Sequence, residues 1–167
     1  EIVQNPNDIN LYHKRSIIHL ENKDVVAAVN DIERALSIDS TIAFLHHALG
    51  DIYFKTGDIS LAKKSLEKCL QYDNEFTEAI LKLSEIHLIL RNYKEAIVKV
   101  NEALKIDNQQ AKGYYLKGWI YQEIGDTALA KSSFQTAIEV NSEYYEAYVL
   151  LGLISVSYTH LRAHETH

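Results

Sequence analysis

The chain has 167 residues, of which 47% are apolar and 24% are charged, so it is long enough and apolar enough to build a domain-sized core. Its net charge of −6 argues against a nucleic-acid partner, because binding a phosphate backbone requires a basic surface. No apolar run in the sequence has the length of a membrane span, and the single cysteine, Cys69, allows no internal disulfide.

The first residue is Glu1 and the sequence contains no methionine, so we expect a fragment of a longer protein. A composition rich in Ile, Asn, Lys and Tyr hints at an AT-rich microbial genome, which favours a bacterial source. The sequence indicates no compartment beyond a slight preference for the cytoplasm.

A period of 34 residues runs through the sequence, and no insertion is needed to keep its register. Four independent positions carry this period, which is the signature of a repeat array. They are occupied by Ala28, Ala62, Ala96 and Ala130, by Ala35, Cys69, Ala103 and Ala137, by Ile18, Ile52, Ile86, Ile120 and Ile154, and by Asn5, Asp39, Asp73, Asp107 and Asn141.

In chain order, the period predicts a partial unit, four complete units and the first helix of a fifth. Each complete unit carries two runs of apolar residues at helical spacing, which predicts a pair of helices. The predicted bounds are 1–8 for the partial unit, 9–42, 43–76, 77–110 and 111–144 for the complete units, and 145–155 for the last helix.

A glycine followed by an aspartate separates the two predicted helices of the second and fourth units, at Gly57-Asp58 and Gly125-Asp126. Glycine accepts the left-handed conformation that ends a helix, and aspartate caps the next one. The first unit has Lys23-Asp24 and the third has Arg91-Asn92 at this place. These two units therefore keep only the residue that caps the next helix and lack the glycine that ends the previous one.

The fourth unit resembles a tetratricopeptide repeat most closely, through Tyr114, Gly118, Tyr121, Ala130, Phe134 and Ala137. The third unit departs from that family, because it has Ser84 for the glycine and His87 for the second aromatic residue. The resemblance covers residues 1–155. It implies an all-α fold, an α-α superhelix (solenoid) of 34-residue helix-turn-helix repeats, and a scaffold that is not an enzyme.

Residues 156–166 resemble the translation of a sequencing adapter read in frame, so we predict that 156–167 is a non-native tail. His160, His164 and His167 share one helical face in this tail, a pattern that can present metal ligands. We favour an artefact over a metal site here, and we predict no metal and no cofactor anywhere in the chain.

The family resemblance implies that the first helix of each unit lines a concave groove. Several of the groove positions are large and apolar, although the outward face of a helix is normally polar, and this predicts an interaction surface. The predicted groove residues are Phe44, His47, Asp51, Leu81, Lys82, Glu85, Lys112, Tyr115 and Trp119, with Ile17, Leu20, Phe54, Leu88 and Leu116 at further groove positions.

Two of these assignments have an alternative. Tyr115 and Trp119 are favoured as groove residues, but they can instead pack against neighbouring helices. His13 and His47 occupy the same place in adjacent units and can face each other, although two histidines alone seldom bind a metal. His19 and His87 are interpreted as packed, hydrogen-bonded histidines.

The predicted function is a protein–protein interaction module that binds a peptide or helix in the groove, with a protein or peptide partner. The alternative is a regulatory or spacer arm of a larger enzyme or signalling protein. Some family members bind a terminal carboxylate, but the matching places here include Asp51 and Leu116, which disfavours such a ligand. We also expect self-association through the uncovered helix 145–155.

Overall fold

The computed structural model describes the backbone of residues 5–164 and the side chains of residues 5–154. This part of the chain contains only α-helices, connected by short turns. The predicted all-α solenoid of helical repeats is therefore confirmed. The helices are α1 (Ile9–Glu21), α2 (Val25–Ile38), α3 (Ala43–Thr56), α4 (Ile59–Tyr72), α5 (Thr77–Ile89), α6 (Tyr93–Ile106), α7 (Ala111–Ile124), α8 (Thr127–Val140) and α9 (Tyr145–His164).

The helices follow the period of the sequence. The odd-numbered helices begin 34 residues apart, and so do α2, α4, α6 and α8. Helix α9 does not end where the repeat pattern stops at Ser155, but continues to His164. The histidine side chains of the predicted tail lie outside the described residues.

The chain forms two compact units, residues 1–79 and 80–167. The core of the first unit includes a cluster built from α1, α2 and α3, with Ile32, Leu45 and Ile52 at its centre. The core of the second unit includes a cluster in which Phe134 of α8 packs with Ala147 and Ile154 of α9. In both units, the second helix of one pair packs on the first helix of the next pair.

Small residues allow the two helices of a pair to approach closely. A Cβ atom placed on Gly50 would lie 2.8 Å from Cγ of Leu66, and one placed on Gly118 would lie 2.7 Å from Cδ1 of Phe134. Neither glycine can therefore carry a side chain unless its partner moves. Alanines complete these contacts on the second helices, where all four are fully buried: Ala28, Ala62, Ala96 and Ala130.

In the third repeat, the two helices of the pair also approach closely, although no glycine lies between them. Ser84 replaces the glycine, is fully buried, and donates a hydrogen bond of 2.8 Å from its hydroxyl to the carbonyl oxygen of Ala96. The hydroxyl thus has a partner inside the core, which removes the cost of burying it. The departure of this repeat from the family pattern is accommodated locally.

We predict that Ala96→Leu destabilises the protein by about 1–3 kcal/mol, because the added atoms have no space at the contact with α5. Thermal and urea unfolding of the variant would measure this. Val98→Leu is the matched control, since Val98 lies on the same helix with 62% of its surface exposed. Equal stability of the two variants would contradict the assignment of Ala96 to the helix contact.

All four turns within the repeats use a residue with a left-handed backbone. The φ angles are 86° at Gly57 and 91° at Gly125, but also 63° at Lys23 and 58° at Arg91. The prediction that the first and third units keep only the helix cap, without the helix-ending conformation, was therefore wrong. The helix-ending conformation persists there because the amide of Asp24 donates to the carbonyl oxygen of His19, as the equivalent amides do in the other turns.

The capping residues behave less uniformly than the sequence predicts. Asp24 accepts a hydrogen bond from the amide of Ala27, and Asp126 accepts one from the amide of Leu129, each at 3.0 Å. The predicted side-chain caps at Asp58 and Asn92 are absent. The carboxylate of Asp58 instead accepts a hydrogen bond from the hydroxyl of Thr56 at 2.9 Å.

We predict that Lys23→Gly and Arg91→Gly each stabilise the protein, by about 1 kcal/mol, because a left-handed backbone is unfavourable for residues with a Cβ atom. Urea unfolding would measure the gain. Gly57→Ala is the reciprocal control, and it should lose a similar amount of stability. This loss would come from the backbone conformation alone, since a Cβ atom placed on Gly57 meets nothing within 4 Å. A loss of stability in both the Lys23 and the Arg91 variants would contradict the proposed strain.

Candidate functional site

A cleft of about 480 Å³ lies between α1 and α3 in the first unit. Apolar side chains and charged or polar groups share its walls, a combination typical of ligand sites. Four of the residues assigned to groove positions from the sequence lie here together, namely Ile17, Leu20, His47 and Asp51. The other lining residues are His13, Ser16, Glu21, Ala48, Ile52 and Lys55.

The two histidines of this cleft each pack against a phenylalanine. The ring of His13 meets the ring of Phe44 edge to face at 5.2 Å, and the ring of His47 stacks on Phe76 at 4.9 Å. Burial lowers the pKa of His13, which favours its neutral form. The histidines therefore take part in aromatic packing on the walls of the cleft.

In the second unit, α5 and α7 bring together three residues assigned to the groove. Oε2 of Glu85 lies 3.4 Å from Nζ of Lys82 and 3.3 Å from Nζ of Lys112. Lys82 and Glu85 are largely buried, with 14% and 21% of their side chains exposed. One carboxylate thus lies between two ammonium groups, so that much of the positive charge of this surface is already balanced.

Tyr115 is the centre of an aromatic cluster in the same unit. Its ring centroid lies 6.1 Å from Trp119, 6.0 Å from Phe134 and 5.4 Å from Tyr144. Tyr115 and Trp119 are only partly buried, and both pack against the core that α8 and α9 form. The packing interpretation of these residues is therefore confirmed. Their role as groove residues stays a prediction, and part of each side chain is accessible.

Three leucines assigned to groove positions lie in the core instead. Leu81, Leu88 and Leu116 are 2%, 4% and 1% exposed. A Cβ atom placed on Gly113 would lie 3.5 Å from Cδ2 of Leu81, which places this leucine against α7. These three side chains stabilise the repeat and offer almost no surface to a ligand.

Two aromatic residues that sequence reasoning missed contact groove residues. Phe76 stacks on His47, and Tyr144 packs on Tyr115. Both are the last residue of a predicted unit, directly before the first helix of the next one. Comparing the units at this position would have shown an aromatic residue in two of them, because Phe76 and Tyr144 share one register and are two repeats apart.

Cys69 of α4 occupies a position that is alanine in the other units and is fully buried. Burial is the main cause that raises the pKa of its thiol to about 12, and the nearby Asp73 adds to this. The thiol therefore stays protonated and inaccessible at neutral pH. It acts as a small apolar side chain at the helix contact.

Over the described part of the chain, no three His, Cys, Asp or Glu side chains converge as a metal site would require. The helices described there are also too short or too polar to cross a lipid bilayer.

Burial raises the pKa of Tyr144 to about 12, with further contributions from Glu146, Tyr115 and Glu85. Between pH 10 and 12, the unfolded chain releases this proton while the folded chain keeps it, so the free energy of unfolding falls as the pH rises. We predict that Tyr144→Phe makes this fall shallower. Urea unfolding at several pH values would show it, and identical slopes for both proteins would contradict the assignment.

The tetratricopeptide repeat family profile matches two segments, residues 45–76 and 111–144. These segments correspond to the second and fourth helix pairs, which contain the two glycines at the helix contact. No curated protein matches the chain in sequence.

Solved structures match the chain in fold. MamA from Desulfovibrio magneticus aligns with a TM-score of 0.78 and 20% identity, over 94% of this chain and 89% of that one. Pseudomonas aeruginosa PilF aligns with a TM-score of 0.82 and 18% identity, over 91% and 69%. The first tetratricopeptide repeat domain of Spaghetti (RPAP3), bound to the HSP90 peptide SRMEEVD, aligns with 0.66 and 21%, over 72% and 96%.

Proposed function

We propose that this protein is an interaction scaffold that binds a peptide segment of a partner protein. The premise is that residues 45–76 and 111–144 match tetratricopeptide repeats. Repeats of this family generally mediate protein–protein interactions. The segment would bind on the first helices of the repeats. The proposed role requires no catalytic group and no cofactor.

The observation that carries this proposal is the cleft between α1 and α3. Its volume of about 480 Å³ suits one or two side chains of a peptide, and its walls offer both apolar contact and hydrogen-bonding groups. Ile17 is 45% exposed there, so its apolar surface is available to a ligand. An apolar or aromatic anchor residue of the peptide fits this environment best.

The charged side chains of the second unit affect which kind of peptide we expect to bind. The Spaghetti (RPAP3) domain was solved with a peptide that contains two glutamates and a terminal aspartate. In the present chain, the ammonium groups of Lys82 and Lys112 already contact the carboxylate of Glu85. An acidic peptide would compete with Glu85 for these partners, so we propose that a hydrophobic or aromatic segment, or an amphipathic helix, is preferred.

We predict that Ile17→Glu weakens binding of peptides selected from a library on the full chain by at least about tenfold, because a charge would be buried in the cleft when the peptide binds. Fluorescence anisotropy would measure the affinities. Ile18→Glu is the matched control, since Ile18 is the next residue, is 54% exposed and does not line the cleft. Equal affinities of the two variants would refute binding at this cleft.

Trp119→Ala tests the aromatic surface of the second unit in the same assay. If Trp119 contacts the peptide, the variant loses affinity, and hot-spot tryptophans typically contribute about 2 kcal/mol or more. Ile124→Ala is the control on the same helix, because Ile124 is 52% exposed. Unchanged affinity in a folded Trp119→Ala variant would confine the proposed surface to the first unit.

A further inference from the structure

A second cavity of the first unit, with a volume of about 380 Å³, is bounded by α2, α3 and α4. None of the residues that line it also lines the cleft between α1 and α3, so the two sites use different faces of α3. The three helices belong to two complete helix pairs, and the cavity therefore lies within the array and not at one of its ends. Its volume is at the lower end of the range for small-molecule sites.

Part of the wall of this cavity is apolar. Leu36 of α2, Leu49 of α3 and Leu61 of α4 all line it. Leu49 is buried, whereas Leu61 is 45% exposed, so the wall includes apolar surface that water can reach. A ligand with an apolar body would cover this surface and remove it from water.

Two lysines of α4 line the same cavity. Lys64 and Lys68 are four residues apart, so they lie one turn from each other on one face of the helix. Both are exposed, and neither forms an ion pair with a described residue. The neighbouring Lys63 differs in both respects, since its Nζ lies 3.9 Å from Oε1 of Glu67 and it does not line the cavity.

The hydroxyl of Ser65 is a further polar group of this site. Ser65 lines the cavity and is only 7% exposed, but its hydroxyl has no hydrogen-bond partner among the described residues. In the same register of α8, the hydroxyl of Ser133 donates to the carbonyl oxygen of Leu129 at 2.8 Å. A nearly buried hydroxyl without a partner is unfavourable, and a ligand with a hydrogen-bonding group at this place would provide the missing partner.

The charges that line the cavity favour an anionic ligand. Glu33 of α2 is the one acidic residue among the described lining residues. It is exposed and forms no ion pair with either lysine. Two ammonium groups and one carboxylate leave this site positive, although the whole chain has a net charge of −6.

The pair of lysines does not recur in the other repeats. The alanines that pack the helices together return at every repeat, as Ala62 does in α4, and they follow from the fold. Packing of the repeat therefore does not require the two lysines. The equivalent positions hold Asn30 and Arg34 in α2, Val98 and Glu102 in α6, and Ser132 and Thr136 in α8.

We propose that the cavity bounded by α2, α3 and α4 is a binding site for a small organic carboxylate with an apolar body. The carboxylate accepts hydrogen bonds from the ammonium groups of Lys64 and Lys68 and from the hydroxyl of Ser65. The apolar body covers the three leucines of the wall. This site is independent of the peptide site proposed between α1 and α3.

Three ligands separate the contributions of charge and of apolar surface. Phenylbutyrate has both features, phenylbutyramide lacks the charge, and acetate lacks the apolar body. Each is titrated into the isotopically labelled full chain, and the amide chemical shifts of Ser65 and Lys68 are followed by NMR. We expect saturable shifts with phenylbutyrate and at least about tenfold weaker binding of the other two. The amide of Ile17, which lines the other cleft, should not shift.

Charge variants of the full chain test the location. Lys64→Gln and Lys68→Gln, introduced together, should weaken the binding of phenylbutyrate at least about tenfold. Glu33→Gln should act in the opposite direction and strengthen binding about twofold or more, because it removes a like charge from the cavity. Lys63→Gln is the matched control, since it removes the same charge from the same helix outside the cavity, and it should bind like the parent protein.

Ser65→Ala tests the contribution of the hydroxyl. This variant should bind phenylbutyrate at least about threefold more weakly, because one hydrogen bond to the carboxylate is lost. Ser133→Ala is the control, since it removes a hydroxyl from the same register of α8, and it should bind like the parent protein. Circular dichroism checks that each variant retains the fold.

Three results would overturn the proposal. Equal binding of phenylbutyrate and phenylbutyramide would show that the site does not recognise a carboxylate. Equal binding by the double lysine variant and by Lys63→Gln would show that the ligand binds elsewhere. If a short peptide with adjacent glutamate and phenylalanine residues shifts the amides of Ser65 and Lys68 while phenylbutyrate does not, the cavity belongs to a peptide-binding surface instead.

Discussion

Each pair of helices packs at a point where one side chain must be very small, and the rest of the structure depends on that contact. Gly50 faces Leu66 and Gly118 faces Phe134 at distances that leave no space for a Cβ atom. Because the approach is so close, each residue of one helix has a fixed neighbour on the other. The repeat cannot slide by a turn without a clash, and residues one repeat apart therefore occupy equivalent environments.

The sequence was sufficient for the fold because this packing constraint recurs with a constant period. It was less informative where backbone geometry prevails over side-chain preference, as at Lys23, which adopts a left-handed conformation without glycine. The candidate site was predicted in part. The register placed Leu81 in the groove, although its side chain is needed in the core, and it overlooked Phe76, because an aromatic residue in a turn carries no helical periodicity.

The candidate surfaces share their residues with the packing between repeats. Tyr115 contacts both Trp119 and Tyr144, so a ligand that binds there would meet a rigid aromatic surface rather than mobile side chains. Glu85 fixes charged groups in a comparable way, since its carboxylate holds the ammonium groups of Lys82 and Lys112 in place. Preorganisation of this kind reduces the entropy that binding costs, and it narrows the range of peptides that fit.

The burial of Cys69 gives the protein an internal reporter of its own motions. This thiol is the only one in the chain, and it lies at the helix contact of the first unit with its pKa raised to about 12. A thiol reagent can reach it only when the packing around α4 opens. The labelling rate therefore measures how often that packing opens, and a ligand held between α1 and α3 would slow the reaction if it restrains the same movement.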